Sequence, residues 1–278
     1  MNRLVVTADD FGLAREVNEA VELAHTSGIL SAASLMVASP ASADAVRRAK
    51  ALPNLRVGLH VVLVEARPAL PAEQIPDLVG RDGMLRSDMA RLALDIVLRP
   101  RVRAQVAAEI EAQFQAYSAT GLALDHVDAH RHFHLHPLIA SDIIAIGRRY
   151  GLRALRVPHE PPAILRKVEA GAKARMPFLA PVTTLLRAKA RRAALTAPDA
   201  VFGLAWSGAM TAKRLAGLLG HLPPGLVEVY THPATANEFA GHAPGYRYTD
   251  ELAALRDEAS VEALRVSGYR LGGFGDAL

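Results

Sequence analysis

A dense run of histidines carries the clearest chemical signal in this chain. Five of the eleven histidines lie in the sequence DHVDAHRHFHLHP, which spans 125–137. Imidazole is the commonest metal ligand near neutral pH, so the run predicts a metal site. Residues two apart in an extended chain share a face, which would gather these donors on one side: His126, Asp128, His130, His132 and His134. A solvated polar turn, or a strand end with ordinary hydrogen-bonded histidines, is the alternative.

One ion needs only two or three of these donors, and the run alone does not select them. Two other places in the chain offer donors as well. Asp9 and Asp10 follow an apolar strand and point in different directions, so one can bind a metal while the other acts as a base. His60 lies in the apolar sequence VGLHVVL. A helix-capping aspartate and a histidine packed in the core are the alternatives for these positions.

The elements that must position these residues alternate between strand and helix. Apolar, β-branched runs predict strands over 4–8, 34–38, 55–63, 124–128, 153–157, 200–206 and 226–231. Helical periodicity with start and stop signals predicts helices over 14–27, 41–51, 101–119, 137–150, from 211 onward, and over 249–266. Strand followed by helix about seven times predicts the α/β class and a TIM-like (β/α) barrel of about seven strands. Reactive groups of such barrels lie where strands end, which is where the candidate residues fall.

Composition sets the outer limits. A chain of 278 residues that is 51% hydrophobic and 22% charged fits one globular domain over 1–278. It contains no cysteine, which excludes disulfides and thiolate metal ligands. The first residues do not have the apolar segment of a signal peptide, and no apolar segment is long enough to span a bilayer. We therefore expect a cytoplasmic protein. An aromatic content of 5% and the absence of a recognition motif argue against nucleic acid as a partner.

Two segments depart from the strand and helix alternation. Residues 65–86 are rich in proline, glycine and small side chains and predict an excursion loop over the barrel mouth. Residues 158–198 form an insertion that holds a cluster of basic residues: Arg166, Lys167, Lys173, Arg175, Arg187, Lys189, Arg191 and Arg192. Basic residues interleaved with apolar ones predict amphipathic helices on an anionic membrane surface. An ordinary solvated helical hairpin is the alternative.

Five blocks of sequence, in order along nearly the whole chain, resemble the YdjC-like family of carbohydrate deacetylases. They are TADDFG, GLH, H-x-D-x-H-x-H-x-H, THP and a terminal GYRLG. The layout and the basic segment are most similar to the hopanoid-biosynthesis-associated branch. The resemblance implies a barrel similar to that of polysaccharide deacetylases and a metal-dependent removal of acetyl from an N-acetylated sugar. It also implies metal ligation by Asp10, His60 and His130, with Asp9 as the catalytic base.

The chemistry of such a site suggests roles for the remaining candidates. One divalent ion, zinc or magnesium, would leave positions open for water and substrate. We expect Arg156 to orient Asp9 and His232 to protonate the leaving amine, the alternatives being an ordinary ion-pairing arginine and a turn histidine. His126, Asp128, His132 and His134 would support the ligands or contact substrate.

Other readings of the whole chain stay open at this stage. One is a different metal-dependent barrel hydrolase, either an amidohydrolase or a phosphoesterase. Another is a metal- or lipid-binding accessory protein without turnover. If the basic segment contacts membrane, the substrate is a glycolipid, for which the hopanoid branch implies an N-acetylglucosamine headgroup on a polycyclic lipid. A peripheral position at the inner membrane face and a homodimer are then both compatible with the sequence.

Overall fold

Parallel strands form the centre of the molecule, which we describe from a computed structural model that covers residues 2–174 and 180–277. The strands are β1 (Arg3–Phe11), β2 (Ala32–Leu35), β3 (Arg56–Val61), β4 (Val127–Ala129), β5 (Ala200–Phe202), β6 (Leu226–Thr231) and β7 (Arg270–Leu271). They pair in the order β4-β3-β2-β1-β6-β5, and β7 pairs with the first residues of β1. All the pairings are parallel, so the carboxyl ends of the strands share one side of the sheet.

The sheet curves until an extended segment fills the gap between β4 and β5. Val127 exchanges backbone hydrogen bonds with Ala154 and Arg156, each 3.0 Å long. Further along the segment, the N–H of Val201 donates to the carbonyl of His159 at 2.8 Å. The predicted parallel β/α barrel is therefore confirmed. The strand predicted over 153–157 is wrong in detail, because this segment forms only isolated bridges at Ala154 and Leu155.

Helices cover the outside of the sheet. They are α1 (Arg15–Ser27), α2 (Ser42–Ala51), α3 (Met89–Leu98), α4 (Pro100–Ala119), α5 (Pro137–Gly147), α6 (Pro162–Val168), α7 (Ala180–Arg192), α8 (Ala212–Leu219), α9 (Tyr248–Arg256) and α10 (Glu258–Val266). Buried apolar side chains from Leu4 to Leu255 form one continuous core between the helices and the sheet. That continuity agrees with a single domain over 1–278, which stays a prediction. No helix within the described residues is both long enough and apolar enough to cross a bilayer.

Several element boundaries differ from those predicted. The sequence analysis missed α3, which follows the excursion loop directly. The predicted helix over 249–266 is two helices, because Asp257 interrupts it and caps α10 by accepting from the N–H groups of Ala259 and Ser260. The predicted strand over 200–206 ends at Phe202, since Gly203 follows with a φ of 124°. Such local breaks arise from single residues, to which the hydrophobic periodicity of a longer segment is insensitive.

The excursion loop over 65–86 is fastened to α4 by a row of buried polar side chains spaced four residues apart. Glu109 accepts from the backbone N–H groups of Ala69 and Leu70 at 2.7 and 3.0 Å. One turn earlier, Gln105 accepts from Asp77 N–H at 2.9 Å. Residues four apart lie on one face of a helix, so one side of α4 binds the backbone of the loop. The loop is therefore held in one position although it has little regular structure.

The basic insertion over 158–198 contributes α6 and α7. The apolar residues 176–179 of this insertion and Arg175 lie outside the described residues. In α7, Thr183, Leu186 and Ala190 are buried, and Lys189 donates to the carbonyl of Pro137 at the start of α5. The apolar face of α7 is thus already occupied by the barrel, and its arginines remain on the outer side.

Candidate active site

A cleft of about 920 Å³ opens at the carboxyl ends of the strands. Asp9 and Asp10 reach it from β1, which extends to Phe11, so the two aspartates lie inside the strand and not after it. His60 comes from β3, and His130 and His232 follow β4 and β6. Because the strands are parallel, residues separated by more than two hundred positions in sequence meet at one rim.

Three of these side chains converge closely enough to share one ion. Donor atoms of Asp10, His60 and His130 all lie within 4.8 Å of one another. Asp10 Oδ1 is 3.2 Å from His130 Nδ1 and 3.4 Å from His60 Nε2. Burial would raise the pKa of Asp10, but the neighbouring imidazoles of His130 and His60 hold that pKa well below its usual range. A carboxylate and two imidazoles around one point form a donor set that suits a divalent cation.

His60 is held in place from behind by a second carboxylate. Its Nδ1 lies 2.9 Å from Asp128 Oδ1, which leaves Nε2 directed toward Asp10. Burial alone would lower the pKa of His60, but the charges of Asp128 and Asp10 raise it well above its usual range. A carboxylate that fixes the outer nitrogen of a metal-bound imidazole is a recurrent feature of metal sites. The arrangement therefore fits a metal, whose binding would displace protons from these imidazoles.

Left-handed backbone conformations occur at Asp10 itself and directly after His130. Asp10 has a φ of 61°, and Arg131 and His132 have φ values of 56° and 55°. Side chains other than glycine occupy this left-handed region at a cost and mainly where surrounding contacts enforce it. The pairing of β1 with β2 also shifts register between Ala8 and Phe11. These distortions allow adjacent residues to face different partners.

Arg156 is completely buried and binds the second aspartate of the pair. Its two terminal nitrogens each donate to one oxygen of Asp9 at 2.8 Å. The same guanidinium donates to Glu228 at 2.6 to 3.1 Å and contacts Asp128. Burial would lower the pKa of Arg156, but the surrounding carboxylates raise it well above its usual range. The contact with Asp9 that the sequence analysis anticipated is present, in a setting far more enclosed than expected.

Glu228 is a site residue that the sequence analysis missed. It lies in β6, is fully buried, and accepts from the hydroxyl of Thr7 at 2.9 Å as well as from Arg156. Burial raises its pKa, which the charge of Arg156 only partly counteracts. The available signal was a single acidic residue inside the apolar strand sequence LVEVYT, since an isolated charge in a buried strand needs a partner.

The histidine run does not continue as a strand, so the predicted common face is wrong beyond Ala129. Residues His130–Leu135 form a tight turn of 3-10 type. His132 Nε2 lies 3.0 Å from the hydroxyl of Tyr230, and His134 Nε2 donates to the carbonyl of Arg156 at 3.0 Å. Burial lowers the pKa of both histidines, that of His134 to about 4. His132 lines the cleft, whereas the buried His134 supports the backbone at Arg156.

His126 lies below the cleft, where it can support the ligands and does not line the cleft. It is fully buried and stacks on Phe274 with ring centroids 4.3 Å apart. Its Nδ1 is 3.0 Å from Asp125, and its Nε2 is 3.1 Å from Ser34 Oγ, which in turn donates to Asp128 at 3.1 Å. Burial would lower the pKa of His126, but Asp125 raises it. Among the described residues, Ser34 and Asp128 therefore connect His126 with the cluster of Asp10, His60 and His130.

His232 lines the cleft opposite the cluster. It lies between Tyr230 and Tyr246, with centroid distances of 5.7 and 5.1 Å. Its Nδ1 is 4.0 Å from the buried carboxylate of Glu251, which accepts from the backbone N–H groups of His232 and Met210. Glu251 thus fixes the backbone at His232 and places a negative charge beside the imidazole. The role of His232 as a proton donor stays a prediction.

Comparisons with known proteins agree with the fold and define the family. Residues 3–266 match the family described as YdjC-like protein, and the chain belongs to this family. A carbohydrate deacetylase of Vibrio vulnificus is 39% identical over 148 residues, which are 53% of this chain and 56% of that protein. The alignment thus spans about half the length of this relative. A carbohydrate deacetylase of Geobacillus stearothermophilus is 28% identical over 96% of this chain and 94% of its own length.

A solved structure extends the likeness to the whole fold. It is an Enterococcus faecalis protein provisionally named for cellobiose-phosphate cleavage. The TM-score is 0.77 at 23% identity, and the match covers 99% of each chain. This similarity supports the barrel and says nothing further about the reaction.

The buried guanidinium gives a prediction about stability. Arg156→Met should lower the free energy of unfolding by about 3–5 kcal/mol, because Asp9, Asp128 and Glu228 would lose their common partner in a dry environment. Urea unfolding measures this loss. Arg101→Met removes an arginine whose side chain is 74% exposed and should change the free energy of unfolding by less than about 1 kcal/mol. Equal losses in the two variants would contradict the structural role of Arg156.

Proposed function

We propose that this protein is a metal-dependent deacetylase that hydrolyses the amide of an N-acetylated sugar. The observation that carries the proposal is the pairing of two neighbouring aspartates with two different partners. Asp10 joins His60 and His130, while Asp9 is held by Arg156 at the same end of the cleft. Support also comes from relatives that are named carbohydrate deacetylases.

Asp10, His60 and His130 would hold one divalent ion, either zinc or magnesium. When bound, such an ion supplies Lewis-acid activation of water and of the acetyl carbonyl group. Asp128 keeps His60 in the orientation that directs Nε2 toward the site. Glu65 lies 3.8 Å from His130 Nε2 at the edge of the cleft and limits how that ring can turn.

Asp9 is the proposed base. Both of its oxygens accept a hydrogen bond from Arg156, which fixes the plane of the carboxylate and leaves its remaining lone pairs for the attacking water. A base oriented in this way accepts a proton as the new C–O bond forms. Tyr230 packs against the guanidinium, 4.7 Å from its carbon, and shields the pair from solvent.

His232 is the proposed general acid. The amine that leaves when the C–N bond breaks is a poor leaving group and requires a proton. His232 lines the same cleft as Asp9 and Asp10, with Glu251 beside its ring. We infer that Glu251 stabilises the protonated imidazole before transfer.

We extend the proposal to a glycolipid substrate, an N-acetylglucosamine headgroup on a hopanoid. The cleft is large for one sugar, and apolar side chains line much of it: Leu13, Met36, Met84, Met89 and Pro244. An apolar wall beside a polar reaction centre suits a headgroup joined to a hydrophobic tail. Contact with a membrane surface would deliver such a substrate, and a homodimer remains compatible with it.

Metal binding and hydrolysis should separate in two sets of variants. Asp10→Ala and His130→Ala should lose the ion, whereas Asp9→Asn should keep it and lose hydrolysis by about 10²–10⁴-fold. Metal content by elemental analysis and acetate release from an N-acetylglucosamine conjugate measure the two effects. Asp250→Asn, on the exposed side of α9, is the control and should change neither. Full activity of Asp9→Asn would remove the base assignment, and phosphate release without acetate release would favour a phosphoesterase.

The acid assignment predicts a dependence on the leaving group. His232→Phe should lower kcat for an amide by about 10²–10⁴-fold, because the amine would depart without a proton. The loss should be much smaller for an acetyl ester with an acidic phenol as leaving group. His221→Phe, at an exposed histidine just after the end of α8, is the control. An equal loss with both substrates would argue that His232 serves binding and not proton transfer.

The substrate proposal makes a prediction in cells that produce hopanoids. Loss of this protein should lead to accumulation of a glycolipid heavier by one acetyl group than the normal product. Mass spectrometry of lipid extracts detects the difference, and expression of Asp9→Asn should fail to reverse it. An unchanged lipid profile, together with acetate release from soluble N-acetylated sugars in vitro, would support the deacetylase activity and contradict the glycolipid substrate.

A further inference from the structure

Helix α3 presents apolar side chains on the side that faces away from the protein. Leu92 and Ile96 are buried on its inner side, together with Asp95. On the opposite side, Leu94, Val97 and Leu98 are 50%, 60% and 65% exposed. Residues three and four apart on a helix are neighbours, so these three side chains form one continuous outer stripe. Met89, 38% exposed, lies at the start of the helix and lines the cleft.

A helix that is apolar on both sides ordinarily has a partner on each side. The other large apolar side chains that are exposed within the described residues are dispersed over α1, α7, α10 and β7: Leu23, Leu185, Val261, Val266 and Leu271. Isolated apolar residues are common on protein surfaces, whereas grouped ones mark contact sites. The group of exposed apolar side chains on α3 therefore indicates a contact site.

Arginine predominates among the exposed charged side chains around the stripe. Residues 87–104 contain four arginines and two aspartates. Asp95 is only 3% exposed and is bound by Arg86 and Arg91. Arg91, Arg99, Arg101 and Arg103 are all exposed, and Asp88 is the exposed aspartate of this segment. The carboxylates that pair with the four arginines are at most 17% exposed: Asp77, Asp95 and Asp142. The exposed charges around the stripe are therefore mainly positive. Apolar side chains ringed by arginine are the combination that binds anionic lipid headgroups with the acyl boundary beneath them.

We propose that α3 docks this protein on an anionic lipid bilayer. Leu94, Val97 and Leu98 enter the boundary between headgroups and acyl chains, and the flanking arginines pair with headgroup phosphates. The proposal goes beyond the deacetylase function, since the surface would bind lipid whether or not the cleft is active. It places the contact on α3 and not on the basic insertion, where Leu186 and Ala190 of α7 are already buried against the barrel.

A second copy of this chain is a poorer occupant of the same surface. A symmetric dimer with its two-fold axis at α3 would bring the arginines of one copy against those of the other. An anionic bilayer neutralises the same charges. The position of α3 also connects the contact with the cleft, because Met89 lines the cleft and Leu98 lies only about 14 Å further along the helix axis.

Vesicle co-sedimentation of the full chain tests the docking surface. The probe is a vesicle of two parts phosphatidylcholine to one part phosphatidylglycerol, with pure phosphatidylcholine for comparison. We expect binding to the anionic vesicles that weakens with added salt, and at least about tenfold weaker binding for the double variant Leu94→Gln with Leu98→Gln. Val266→Gln is the matched control, because Val266 is also 65% exposed but lies on α10, and it should bind like the original chain.

Charge variants separate α3 from the basic insertion. Arg99→Gln with Arg101→Gln should weaken binding, while Arg191→Gln with Arg192→Gln on α7 should leave it nearly unchanged. The reverse result would overturn the proposal in favour of the insertion. Absence of binding by the original chain would also overturn it. The proposal would also be overturned if light scattering without lipid showed a dimer of the original chain and a monomer of the double variant Leu94→Gln with Leu98→Gln.

Thermal unfolding and acetate release from a soluble substrate check that these variants remain folded. Neither Leu94 nor Leu98 touches the cleft, so both measurements should match those of the original chain. Activity on a soluble substrate and binding to vesicles are separate readouts. Failure of the lipid proposal therefore leaves the deacetylase proposal standing, and the converse also holds.

Discussion

One buried cation organises the centre of the barrel. Arg156 is enclosed with Asp9, Asp128 and Glu228, which come from three different strands. Removing a charged group from water costs several kcal/mol, and only close, hydrogen-bonded partners recover that cost. The guanidinium can be satisfied here only when β1, β4 and β6 are in register with the segment that holds Arg156. The ion network therefore specifies the relative positions of the strand ends, and with them the geometry of the cleft.

The same network explains why Asp9 and Asp10 can differ in role while being adjacent. Arg156 draws Asp9 toward the barrel axis, and the imidazoles of His60 and His130 draw Asp10 toward the opening. A regular strand alternates its side chains but does not provide this particular pair of directions. The register shift after Ala8 and the φ of 61° at Asp10 supply them. The strain is tolerated because both side chains are bound at their ends.

Sequence periodicity predicted the barrel and the rim on which the candidate residues lie, because alternation of strand and helix is a local property. It failed where the outcome depends on a distant partner. The histidine run was expected to be extended, yet left-handed residues at Arg131 and His132 turn it, so that His132 meets Tyr230 and His134 meets Arg156. The role of Glu228 depends on an arginine 72 positions away. Helix α3 was not predicted, although its buried side chains Leu92, Asp95 and Ile96 follow helical spacing.

Polar contacts connect the cluster of Asp10, His60 and His130 with the opposite end of the barrel. The backbone N–H groups of Phe274 and Gly275 donate to Asp125, which binds His126, and Ser34 then joins His126 to Asp128 behind His60. Gly58 leaves space for this chain, since a Cβ there would lie 2.6 Å from the ring of His126. These contacts give a structural role to the residues after the terminal GYRLG block, which do not line the cleft. The links are directional and partly to fully buried, so they connect the orientation of His60 with residues that do not line the cleft.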